Sequence, residues 1–171
     1  GKSTLLKHLN GLLLAAGGSV HVEGIALTRA NLADLRRRVG YVFQDADDQL
    51  FMPTVQDDVA FGPMNLGLAA SEVRVRVLAA LQAVDAAHLA QRAPYRLSGG
   101  EKRAVAIAGV LAMAPSILVL DEPSTGLDPA GRRRLIDLLG RLTQTRIVAT
   151  HDLDLVLQLC PRALVLHEGR V

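Results

Sequence analysis

The run ILVL at residues 117–120 is apolar at every position and ends abruptly in Asp121-Glu122. A strand with one wet face alternates apolar and polar side chains. A strand that is apolar throughout is covered on both faces, which is the signature of a parallel sheet between helices. VGYVF at 39–43, RIVAT at 146–150 and ALVLH at 163–167 read as further strands. Between them lie helical patterns at 3–14, 30–38, 101–114, 130–142 and 153–160. This alternation predicts an α/β fold with a parallel sheet. SVHVEGIALT at 19–28 alternates around Glu23-Gly24 and reads as a short hairpin.

The stretch between Ala46 and Arg96 has no convincing core strand and reads as a mostly helical insertion. Within it, Pro53 and Gly62-Pro63 act as punctuation. Residues 71–84 form an amphipathic helix with Ser71 as expected N-cap, and 85–92 a further short helix. The chain of 171 residues reads as a single domain, with residues 46–112 as a helical subdomain that includes the helix after Gly100. Half the residues are hydrophobic, enough for a sizeable core. Aromatics make up only 3% and the net charge is +2, so there is neither a stacking platform nor a basic patch for nucleic acid. The arginine triplets at 36–38 and 132–134 read as solvated helix faces. No apolar run approaches the roughly 20 residues of a membrane helix. The single Cys160 cannot form an internal disulfide and reads as a small buried apolar residue.

Three short motifs carry chemistry. Gly1-Lys2-Ser3-Thr4 precedes a leucine-rich helix, so backbone N–H groups, a helix N-terminus and an ammonium would surround phosphates, with the Ser3 hydroxyl a Mg²⁺ ligand. Asp121 and Glu122 stand at the C-terminal end of a buried strand, where open α/β sheets place ligands. Asp121 suits Mg²⁺, and Glu122 suits the orientation or deprotonation of an attacking water. Ser98-Gly99-Gly100 opens another long helix, and its glycines let an anion approach the backbone. Two phosphate-binding helix starts suggest a nucleotide held between two faces, only one of which a single molecule supplies.

GKST, LSGGEKRAVAIA, ILVLDEPSTGLDP and IVATHD, in this order, resemble the nucleotide-binding subunit of an ABC transporter over nearly the whole chain. The resemblance implies a RecA-like P-loop ATPase core with a helical subdomain, ATP and Mg²⁺ as ligands, and transport-coupled ATP hydrolysis at the cytoplasmic face of a membrane. It implies that Gly1, Lys2, Ser3 and Thr4 hold the phosphates, and that Ser3, Gln44 and Asp121 serve Mg²⁺. Glu122, Gln44 and His151 become the catalytic set. Ser98, Gly99 and Gly100 would contact ATP on an opposite ATPase subunit, with Asp128 at that dimer interface.

DADDQLFMPTVQDDVAFGPMNLGL at 45–68 further resembles the cobalt/nickel and energy-coupling-factor importers. There the segment from Gln44 to Phe51 would dock a membrane subunit, with Asp47 and Asp48 as acidic rim. The alternatives are a non-transport ABC ATPase of DNA repair or the ribosome, or an inactive fragment. The span from Gln44 to Leu97 is too short for a repair-type coiled coil. Because residue 1 falls inside the phosphate loop of the resemblance, the first strand and the start of that loop are expected to be missing. That would leave an open edge beside RIVAT and a chain poorly stable and inactive alone.

Overall fold

The computed structural model describes residues 1–170. Its centre is a parallel three-stranded sheet in the order β3 (Val39–Val42), β4 (Ile117–Asp121), β5 (Thr145–Ala149). Tyr41 pairs with Val119 and Val42 with Leu120, while Asp121 pairs with Ala149. Successive side chains point to opposite faces. Accordingly Val42, Leu118 and Leu120 join one apolar cluster, and Val39, Tyr41 and Val119 join the other. That is why residues 117–120 of β4 are all apolar: both of its faces are covered.

On the first face lie α3 (Val55–Asn65), α4 (Ala70–Ala83) and α5 (Gly99–Leu111), packed on one another, and α6 (Pro129–Arg141). On the second lie α1 (Lys2–Leu9) and α2 (Leu32–Arg38), with the hairpin of β1 (His21–Val22) and β2 (Ile25–Ala26). Glu23 and Gly24 both have positive φ (51° and 78°), as a tight two-residue hairpin turn requires. α7 (Leu153–Leu159) follows β5.

The structure departs from the sequence reading in several places. Residues 163–167 form no strand; only an isolated bridge joins His167 and Arg170. Leu164 and Val165 are exposed, so the apolar composition that suggested a strand has no sheet partner among the described residues. β5 pairs with β4 alone, and its other edge carries no strand among those residues. α1 ends at Leu9 rather than near Leu14, because Asn10 caps it and Gly11 turns the chain at φ 69°. Ser71 does not cap α4, whose N-cap is Ala69. The residues 85–92 contain only a single 3₁₀ turn, Ala87–Leu89. α3 runs through Gly62-Pro63, which the sequence reading took as a break. Thr54 caps it, with its Oγ accepting from Asp57 N, and Pro63 lies two residues before its end, so the bond its missing N–H forfeits is borne by the packing of α3 rather than by a break.

The arginine triplets are not simply solvated. Arg36 donates to the carbonyls of Asn10 and Gly11, and Arg38 pairs with Glu23 at 2.6 Å. Arg132 pairs with Asp152 and Asp154. Cys160 is half-buried at the end of α7 rather than fully buried.

Candidate active site at the end of the central strand

β4 delivers two adjacent carboxylates to different tasks. Asp121 is still in the strand and almost fully buried. It accepts from the Ser3 hydroxyl through Oδ1 at 3.0 Å and from the Tyr41 hydroxyl through Oδ2 at 2.9 Å. Glu122 leaves the strand in the left-handed region, φ 44°, anchored by its N–H to the Ala149 carbonyl at 2.8 Å. The turn swings its carboxylate away from Asp121. There Lys2 Nζ meets Oε1 at 2.7 Å, and His151 Nδ1 meets Oε2 at 2.7 Å. A carboxylate can only accept, so Nδ1 carries the proton and Nε2 of His151 faces outward.

Burial pushes the Glu122 carboxyl up, but the bonds from Lys2 and His151 outweigh it and hold it below the usual carboxylate range. Tyr41 titrates above its ordinary value, first through burial and then through the neighbouring Asp121.

A cleft of about 560 Å³ joins Ser3, Gln44 and Asp121, with Lys7, Gly99, Lys102 and Arg103 along its walls. The three residues expected to serve Mg²⁺ therefore share one cavity. All three donors are oxygen-bearing, which is the chemistry a hard cation takes. Thr4 is exposed, and its carbonyl oxygen lies 2.7 Å from His8 Nδ1. Gly1, also exposed, caps α1, its carbonyl accepting from Leu5 N at 3.0 Å.

The second helix start is organised differently. Ser98 N-caps α5 through a capping box: Glu101 N donates to Ser98 Oγ at 3.3 Å, and Ser98 N donates to Glu101 Oε2 at 2.7 Å. Ser98 and Gly99 are exposed and Gly100 half-buried. Asp128 is exposed and caps α6 by accepting from Gly131 N at 2.8 Å.

Near the segment expected to dock a partner, Phe51, Phe61 and Met64 form an exposed apolar group, with the two rings edge to face at 5.0 Å. The buried Asp58 holds this loop by accepting from Phe51 N (2.9 Å) and Met52 N (3.0 Å). Asp47 is spoken for within the chain, paired to Lys102 at 2.6 Å, whereas Asp48 is exposed.

Sequence reasoning missed Tyr41, Gln49, Asp58 and Arg103. Tyr41 had one usable signal: a hydroxyl on a strand covered on both faces needs a buried partner. The others make contacts that only the tertiary fold creates.

The family model for the ABC transporter matches residues 1–125. This chain belongs to the ABC transporter ATP-binding family. A provisionally named ABC transporter ATP-binding protein of Geobacter sulfurreducens is 60% identical over 171 residues, covering all of this chain and 69% of its own length. The energy-coupling factor transporter ATP-binding protein EcfA of Methanoculleus marisnigri is 49% identical over 175 residues, and the chain spans 63% of it. Among solved structures, cbiO1 of Clostridium perfringens, part of the ABC transporter complex cbiONQ, aligns with a TM-score of 0.84 at 43% identity, covering 93% of this chain and 66% of that one. The ATP-binding cassette MJ0796, seen as a post-hydrolysis dimer bound to ADP and Pi, aligns at 0.77 and 30% identity over 91% of this chain and 72% of that one. The fold is thus the RecA-like ABC ATPase fold, a parallel sheet core with a helical subdomain. No described helix is long and apolar enough to cross a membrane.

Proposed function

We propose that this chain is the ATP-hydrolysing part of a subunit that powers import through an ABC transporter of the energy-coupling-factor or cobalt/nickel type, carrying a metal ion or a vitamin. The observation that carries this reading is the division of labour at the end of β4. Asp121 is tied to Ser3, and Glu122 to Lys2 and His151. The domain is a single ABC ATPase unit over 1–171, with 46–112 as its helical subdomain.

In this reading Ser3, Asp121 and Gln44 would hold Mg²⁺, which when bound neutralises charge on the phosphate oxygens. Lys2 binds the β- and γ-phosphates. Its ammonium sits on Glu122 Oε1 in this structure, so turning towards phosphate frees that oxygen. The freed carboxylate is also the more basic one, because a contact that held its pKa down has gone. Glu122 then orients a water in line with the γ-phosphate and takes its proton at Oε1. His151 keeps Glu122 aligned through Nδ1 and, as the doubly protonated imidazolium, would also donate Nε2–H to the γ-phosphate.

Ser98, Gly99 and Asp128 are exposed in the single chain and, with the half-buried Gly100, would meet a second ATPase subunit, identical or paralogous, as the MJ0796 dimer supports. The Phe51, Phe61 and Met64 group, with Asp48, would dock the membrane subunit. The protein would sit peripherally at the cytoplasmic face of the membrane. The test is to purify the full-length subunit with the membrane proteins that accompany it, and to follow MgATP binding, phosphate release and ATP-driven uptake of labelled cobalt, nickel or vitamins into vesicles. Phosphate release coupled to uptake is expected. A complex that neither binds MgATP nor releases phosphate would overturn the reading.

A further inference from the structure

Gln44 follows β3, yet the backbone that carries it is held by α5. Arg103, only 5% exposed, donates Nη1 to the Phe43 carbonyl at 2.6 Å and Nη2 to the Gln44 carbonyl at 2.5 Å. Gln49 closes the same junction from the other side. Its Oε1 accepts from Phe43 N at 3.2 Å, and its Nε2 donates to the Ala106 carbonyl at 2.7 Å. Arg103 and Ala106 stand three apart on α5, and so on one face.

Among the described residues Arg103 has no ion-pair partner, and its buried Nε has no hydrogen-bond partner there. Burial lowers its pKa, opposed only by the nearby Asp45. A buried guanidinium held by two carbonyls and no carboxylate is an expensive way to fasten a helix, since an apolar side chain of similar volume would pack there without a desolvation penalty. What it supplies is geometry. The planar fork fixes two successive carbonyls at once, and with them the backbone from which Gln44 lines the cleft it shares with Ser3 and Asp121.

We infer that Arg103, with Gln49, is a positioning residue for Gln44. The inference rests on the role given to Gln44 above.

The test is a double-mutant cycle on the full-length subunit in its membrane complex, with kcat and KM for MgATP measured for Gln44→Ala, Arg103→Lys and the pair. Lysine keeps the charge but lacks the planar fork that holds two successive carbonyls in fixed directions. Arg103→Lys should lower kcat about tenfold, in the range typical of residues that support a site's ligands, with KM changed less than about twofold. In the Gln44→Ala background it should cost nothing further. Gln49→Ala should show the same non-additivity, and serves if Arg103→Lys does not fold. Multiplying effects, a loss confined to thermal stability, or a change in KM alone would overturn the positioning role while leaving the role of Gln44 intact. A Gln44→Ala subunit with normal kcat would overturn both.

Discussion

Two helix starts of the molecule, read from the sequence as anion sites, are finished in opposite ways. The start of α1 is answered from across the sheet: Ser3 reaches Asp121, the last residue of β4, and Lys2 reaches Glu122 just beyond it. The start of α5 is closed chiefly by its own capping box of Ser98 and Glu101, with Arg92 at 4.0 Å from Glu101. In the function proposed above, the first would be served by side chains of its own chain, and the second would need another surface. Two similar sequence cues, glycine and hydroxyl at a helix start, are thus finished by quite different surroundings.

The sharpest way to break this comparison is at α1. Glu122→Gln keeps the shape and removes the proton acceptor. Turnover by the full-length complex should fall by about two to four orders of magnitude while MgATP binding persists; steady-state phosphate release within threefold of normal would sink the assignment. Next in size is the pairing of the two starts. Ser98→Ala and Lys2→Ala should each remove a hydrogen bond to a charged group, worth about 1.5–3 kcal/mol. In a mixed dimer carrying one of each, both defects should fall on a single composite site and spare the other, read by ATP occupancy alongside turnover. Two damaged sites would mean that the α5 start also serves its own chain.

Smaller effects sharpen the contrast between inward and outward surfaces. Phe51→Ala should change the stability of the isolated subunit by less than about 0.5 kcal/mol, as for other surface positions. It should weaken association with the membrane partner by more than about 1 kcal/mol if the exposed ring is an anchor. Unchanged assembly would return Phe51 to simple packing on Phe61. The smallest effect concerns pH. Asp152 caps α7 and pairs with Arg132, which hold its carboxyl far below the usual range. A depressed carboxyl stabilises the fold above its unfolded pKa, near 3.9, and loses that contribution as pH falls towards the folded value. Thermal unfolding should therefore drop as acid is added below about pH 4, and Asp152→Asn should flatten that part of the curve.

Much of this was legible before the fold. Asp121, Glu122, Lys2 and Ser3 sit where a local pattern puts them: an apolar run that must be a buried strand, and a glycine-led helix. The same is true of Ser98, whose capping partner stands three residues on. What local patterns could not show was competition for partners. The ALVLH segment has strand composition but no neighbour among the described residues, so it does not pair. Gly62-Pro63 looks like a break, yet α3 carries it near its end, where packing on α4 and α5 outweighs propensity. Asp47 reads as a free rim charge until Lys102 arrives from α5. Arg103 and Gln49 are invisible for the same reason, since the carbonyls they fix belong to another element.

The left-handed backbone of Glu122 sets folding against chemistry at a single residue. At φ 44° a glutamate side chain is uncomfortable, at a cost of about 1 kcal/mol, whereas asparagine tolerates that region well. Stability alone would therefore favour another residue here, and in the function proposed above it is the carboxylate at the end of the longer arm that glutamate supplies. Glu122→Asn should melt above Glu122→Gln, although both lack the charge. Equal melting of the two would mean that the turn carries no strain, and that the position is held for reasons of packing.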